Sequence, residues 1–107
     1  MALVHITSVQ DFEEKVEKAG HPVLVDFFAT WCGPCKMVSG EVEALATQME
    51  GKATIAKIDV EAVPELAKRF KVMSVPTLLV VKGTEEVSRA VGFRPRTELA
   101  AMIEKAL

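Results

Sequence analysis

The sequence feature that most constrains this chain is the segment Trp31-Cys32-Gly33-Pro34-Cys35, which holds both of its cysteines. The segment lies where the apolar run of residues 23–28 gives way to a helical pattern. Two thiols separated by two residues can close a small disulfide ring when the backbone between them bends. Gly33-Pro34 favours such a bend. We therefore expect a strand, a bend and a helix to meet at the two cysteines.

A helix that begins at this segment directs its free N–H groups and the positive end of its dipole at the first sulfur. This environment favours the thiolate form of Cys32 and predicts that Cys32 is a nucleophile. Cys35, one turn into the helix, is placed to attack Cys32 from the protected side. The pair is therefore predicted to carry out dithiol–disulfide exchange, with Cys35 as the resolving thiol.

Other uses of two closely spaced cysteines are less well supported. A tetrahedral zinc site needs about four protein ligands, and the other soft ligands, His5 and His21, have no ligand-like spacing, so no metal site is predicted. A purely structural disulfide across so short a loop would remove little entropy from the unfolded chain. Two thiolates can hold Cu(I). A thiolate metal carrier therefore stays open as an alternative function.

The length and charge of the chain exclude several classes of protein. With 107 residues, half of them apolar, residues 1–107 are predicted to form one domain. The net charge of -2, with both signs interspersed, predicts no nucleic-acid or membrane partner. The N-terminal segment shows no secretory signal, and no run approaches the roughly 20 apolar residues of a membrane span. We expect a cytoplasmic monomer. In a reducing compartment such as the cytoplasm, paired cysteines are more often catalytic than structural.

Hydrophobic patterns along the chain predict alternating strands and helices. Strands are expected over residues 3–6, 23–28, 53–59, 77–81 and 86–91, and helices over 9–16, 34–49, 64–70 and from Pro95 onward. This order predicts an α/β protein with a central mixed five-stranded sheet and about four helices on its two faces. The cysteines fall at the C-terminal end of a central strand, where open α/β sheets place their sites. Gly40 interrupts the helix that follows them and leaves its straightness open.

Asp26 is the one carboxylate in the run of residues 23–28, which is typical of a strand covered on both faces. A buried and largely neutral carboxyl group near the cysteines could relay the proton when Cys35 becomes a thiolate. Alternatively, Asp26 lies on a solvated face or pairs with Lys57, which can face it from a neighbouring strand. The residues alone leave both interpretations open.

The chain resembles the thioredoxin family over essentially its whole length. The resemblance rests on the cysteine segment, the run 23–28, Lys57-Ile58-Asp59, Ser74-Val75-Pro76-Thr77 and Gly92. It implies the thioredoxin fold and a proton-relay role for Asp26, tuned by Lys57. It also implies that the Val75-Pro76 bond is cis and faces the disulfide, where the backbone of Val75 pairs with an extended substrate segment.

The same resemblance implies a general protein disulfide reductase, which forms a mixed disulfide with disulfide-containing protein substrates. Gly33-Pro34 is the reductase-type pair of this superfamily. A flavoprotein thioredoxin reductase drawing on NADPH would recycle the protein, so no cofactor of its own is expected. The substrate-binding residues would be Trp31, Gly33, Pro34, Val75, Pro76 and Gly92. A non-redox module that binds a partner through this same surface is the alternative from another class.

Overall fold

Five strands form one sheet at the centre of the structure, a computed structural model that describes residues 3–107. The predictions of a single domain over residues 1–107 and of an N-terminal segment without a secretory signal include Met1 and Ala2, which lie outside the described residues. The strands are β1 (Leu3–Ile6), β2 (Val23–Phe28), β3 (Thr54–Asp59), β4 (Thr77–Lys82) and β5 (Glu85–Val91). Their order in the sheet is β1-β3-β2-β4-β5, which places β2 in the middle.

The sheet is mixed, as the sequence predicted. Strand β3 runs parallel to both β1 and β2, whereas β4 is antiparallel to β2 and β5. Parallel neighbours need crossover connections, and helices supply them. The helices are α1 (Val9–Phe12), α2 (Gly33–Gln48), α3 (Pro64–Arg69) and α4 (Arg96–Glu104).

The first helix differs from the regular helix that its apolar spacing predicted. After α1 the chain continues as a π-helical turn over Glu13–Glu17. Here the amide of Lys18 bonds to the carbonyl oxygen of Glu13, five residues earlier, at 3.1 Å. Val16 is nevertheless fully buried, so the apolar face predicted for this segment does pack on the sheet.

Alternate side chains of β2 pack into two separate cores, because successive residues of a strand point to opposite faces. Leu24 packs with residues of α2 and α4, including Leu45 and Leu99. Val25 and its neighbours at alternate positions pack with residues of α1 and α3 on the other face. Asp26 has the same parity as Leu24 and therefore lies on the face covered by α2 and α4.

Helix α2 runs without a break through Gly40. Gly40 is exposed, and a Cβ atom built on it would meet no heavy atom within 4 Å. Its backbone has the negative φ that any residue adopts in a helix. Gly40 therefore does not end the helix, and its missing side chain is not needed for packing.

We expect Gly40→Ala to raise the free energy of unfolding by about 1 kcal/mol, since alanine restricts the unfolded chain and suits a helix better than glycine. Urea unfolding of the two proteins measures the difference. Gly51→Ala is the matched control, because Gly51 also has open space around it but adopts a φ of +87°. That control should lose stability. A Gly40→Ala protein no more stable than the original would contradict this account of α2.

Candidate functional site

The two cysteines form a disulfide at the start of α2, with their Cα atoms 5.3 Å apart. Cys32 is the N-cap residue of the helix and has an extended backbone, and Pro34 lies in the first turn. The backbone N–H of Cys35 donates a hydrogen bond to Cys32 Sγ at 3.1 Å. The predicted helix N-terminus therefore does lie at the first sulfur.

The two sulfur atoms have different neighbours, although both cysteines are only 4% exposed. Cys32 Sγ lies 3.8 Å from the carbonyl oxygen of Val75, in the loop before β4. Cys35 lines a cavity of about 220 Å³ on the other side. The other residues that line this cavity are Phe28, Ala29, Thr30, Lys36, Ser39 and Lys57.

The loop before β4 brings three predicted site residues together beside Cys32. The Val75-Pro76 peptide bond is cis, as the family resemblance implied. The carbonyl oxygen of Pro76 accepts a hydrogen bond from the N–H of Gly92 at 2.8 Å. Gly92 has a φ of +90°, a conformation that favours glycine. This hydrogen bond therefore ties the cis-proline loop to the end of β5.

An apolar groove of about 400 Å³ lies beside this loop. Trp31 and Met73 on its rim are 70% and 92% exposed. Gly33 and Pro34 are exposed at the adjacent helix start. The lining residues are Trp31, Val60, Val72, Met73, Ser74 and Val75. Exposed apolar surface of this kind marks interaction sites.

Val60 and Val72 are lining residues that the sequence did not mark in any way. Val60 and Val72 are single apolar residues in connections between elements, where no periodic pattern marks them. They reach the groove because the ends of β3 and α3 meet beside the cis-proline loop. A sequence pattern could not have placed them there.

Asp26 is completely buried in β2, where its strand neighbours are Lys57 on β3 and Leu78 on β4. Neither of its carboxylate oxygens has a hydrogen-bond partner among the described residues. Burial raises the pKa of Asp26 from 3.8 to about 6, with the positive charge of Lys57 opposing the rise. The interpretation of Asp26 as a residue on a solvated face is therefore wrong.

Lys57 lies next to Asp26 in the sheet but does not form with it the ion pair that the sequence analysis gave as an alternative. Its ammonium donates a hydrogen bond to Ser39 Oγ at 2.6 Å. The same ammonium lies 5.1 Å from the ring centroid of Phe28. Lys57 therefore acts on the Asp26 carboxyl group through space, as a nearby charge.

Ser39 is a further site residue that the sequence analysis missed. It is half-buried on α2 and lines the same cavity as Cys35 and Lys57. The available signal was its spacing, because residues four apart on a helix share a face. A serine four positions after Cys35 is therefore carried to the inner side of the disulfide.

The described residues hold neither a cluster of metal ligands nor a membrane-spanning helix. Within residues 3–107, no group of three or more His, Cys, Asp or Glu side chains could hold a metal ion. None of the helices in that range is long and apolar enough to cross a membrane. The groups that the geometry does bring together are the disulfide, the apolar groove and the buried Asp26 near Lys57.

Comparisons with known proteins agree with this arrangement. The thioredoxin family model matches residues 3–105. The chain is 49% identical to the thioredoxin of Staphylococcus aureus (strain Mu50) over 107 residues, which covers 100% of both chains. The X-ray structure of Fasciola hepatica thioredoxin aligns with a TM-score of 0.87 over 96% of this chain and 98% of that one, at 34% identity. The chain therefore belongs to the thioredoxin family and is a protein-disulfide oxidoreductase.

Proposed function

We propose that this protein is a general protein disulfide reductase, in which Cys32 is the nucleophile and Cys35 is the resolving thiol. The observation that carries the assignment is the placement of the disulfide at the N-terminus of α2, between two different environments. Cys32 contacts the cis-proline loop beside the apolar groove, and Cys35 lines the cavity that holds Ser39 and Lys57. In this proposal, substrate bound in the groove meets Cys32 first.

The reaction begins with both thiols reduced. The Cys32 thiolate attacks one sulfur of a substrate disulfide, forms a mixed disulfide and releases the other substrate sulfur, which takes up a proton. Cys35 then loses its proton and attacks Cys32 Sγ, which releases the second substrate sulfur. Two electrons pass to the substrate, and the internal disulfide seen in the structure is the oxidised product.

The groove supplies a binding site for an extended segment of the substrate. Within residues 3–107, no backbone–backbone hydrogen bond uses the N–H or the carbonyl oxygen of Val75. These groups are therefore free to pair with a substrate backbone, as in strand addition to a sheet edge. Trp31, Gly33 and Pro34 would contact the substrate beside Cys32. Pro76 and Gly92 would hold Val75 in place.

Asp26 is the proposed proton relay for Cys35. A carboxyl group with a pKa of about 6 can accept and return protons near neutral pH. Lys57 lines the cavity of Cys35 and lowers this pKa from the value that burial alone would impose. In this role Lys57 tunes the pKa of Asp26 through its positive charge.

Each turnover leaves the protein oxidised, so a reductant must restore the thiols. We propose a flavoprotein thioredoxin reductase that draws on NADPH, which leaves the chain without a cofactor of its own. The protein would act as a cytoplasmic monomer, with residues 1–107 as a single domain. Its partners would be proteins with disulfides, and the mixed surface charge favours neither nucleic acid nor membrane.

Serine variants of the two cysteines test their assignment as nucleophile and resolving thiol. We expect Cys32→Ser to abolish reduction of insulin disulfides, because no nucleophile remains at the groove. Cys35→Ser should instead accumulate a covalent mixed disulfide with the substrate, because the resolving attack is lost. Non-reducing electrophoresis distinguishes the two, and each variant is the matched control for the other. Normal turnover by Cys35→Ser would contradict the two-step reaction.

Asp26→Ala tests the cost of burying this carboxyl group. Its pKa is raised on folding from 3.8 to about 6. The folded state therefore holds the proton more tightly, and the resulting stability is fully present below pH 3.8. That stability is lost as the pH rises through about 6. The stability of Asp26→Ala relative to the original protein should grow by about 2.5 kcal/mol between roughly pH 4 and pH 8.

Urea unfolding at several pH values measures this growth. Glu65→Ala, which removes an exposed carboxylate, is the control and should show no comparable dependence on pH. Insulin reduction by Asp26→Ala should be slower, because Cys35 loses its proton acceptor. A variant that reduces insulin as fast as the original protein would show that Asp26 does not relay the proton.

A further inference from the structure

The hydroxyl group of Ser39 links two charged side chains at the inner side of the disulfide. It accepts a hydrogen bond from the ammonium of Lys57 at 2.6 Å and donates one to Glu43 Oε2 at 3.2 Å. A serine hydroxyl can accept and donate at the same time. Ser39 therefore anchors the end of the long Lys57 side chain to helix α2.

This anchor decides where the positive charge of Lys57 lies. Lys57 and Asp26 are paired in the register of β2 and β3, so their side chains leave the sheet on the same face. An ammonium beside an unpaired buried carboxylate would normally bond to it, since burial of an unpaired charge is costly. Both oxygens of Asp26 nevertheless lack a partner among the described residues. The ammonium is bonded to Ser39 instead.

Among the described residues, no other element pairs a charged side chain with Asp26 in the register of the sheet. Strand β4 and helix α4 present apolar side chains here, among them Leu78 and Leu99. Strand β1 places the exposed His5 on the far side of Lys57. The titratable or charged side chains of α2 on this side are Cys35, Lys36 and Glu43, of which Lys36 and Glu43 are exposed. Lys57 is thus the one charge paired in register with Asp26.

We propose that Ser39 is a positioning residue, which holds the Lys57 ammonium away from the Asp26 carboxyl group and so keeps that group free to exchange protons with Cys35. This inference rests on the proposed role of Asp26 as proton relay. Without the hydroxyl, the Lys57 side chain is released. The carboxylate that lacks a partner and is paired with Lys57 in register is that of Asp26, whereas Glu43, which the hydroxyl also contacts, is exposed to solvent. An ion pair formed there would weaken Asp26 as a base.

The test is a titration of Asp26 in the oxidised full-length protein, followed by the ¹³C NMR signal of its carboxyl carbon. In Ser39→Ala the midpoint should fall by about 1 pH unit or more, as expected for a carboxylate that gains a close cation. Alanine favours the helix, so the variant should fold. Ser39→Thr keeps a hydroxyl group at this position and should restore the original midpoint.

The matched control repeats Ser39→Ala in a Lys57→Met background. There the substitution should leave the Asp26 midpoint unchanged, because no ammonium remains to be released. The proposal is overturned if Ser39→Ala leaves the midpoint unchanged in the original chain, or if it lowers the midpoint equally in the Lys57→Met chain. The titration needs no substrate, so its failure is distinct from failure of the proton relay, which the insulin reduction rate of Asp26→Ala reports.

Discussion

The burial of β2 on both faces is the constraint on which the rest of the structure depends. This strand lies between β3 and β4, and its side chains alternate between two apolar cores. Each core needs its own covering helices, so helices lie on both sides of the sheet. Because β2 is held so firmly, the chain that leaves its C-terminal end reaches the cysteines at a defined place. The position of the disulfide thus follows from the packing of β2, the strand that also carries Asp26.

The reactive surface is assembled from three separate parts of the chain. Helix α2 directs its N-terminus at Cys32, and the cis-proline loop places the carbonyl oxygen of Val75 beside the same sulfur. Gly92 ties that loop to the end of β5 through its bond to Pro76. A binding groove whose walls are anchored to one sheet is preorganised, which suits the general protein disulfide reductase proposed above.

Asp26 departs from the rule that buried polar groups are hydrogen-bonded. A carboxyl group without partners in an apolar core lowers stability at neutral pH, and departures of this kind occur at functional sites. Its neighbour Lys57 could relieve the cost but is bonded to Ser39. Lys57 and Ser39 line the same cavity as Cys35, whereas the apolar groove lies beside the loop that contacts Cys32. In the proposed reaction, substrate binding and proton transfer therefore use different surroundings of the one disulfide.

The sequence by itself determined the reactive pair, the mixed α/β fold and the approximate bounds of each element, because these depend on local spacing and hydrophobic period. Asp26 could be named as an anomaly from its apolar neighbours alone. Its burial without a partner, and the bond of Lys57 to Ser39, were decided only in the tertiary structure. These features depend on how α2 is placed against β2 and β3, which local sequence patterns do not encode. The groove residues Val60 and Val72 were likewise brought together by the packing of distant segments, where no periodicity marks them.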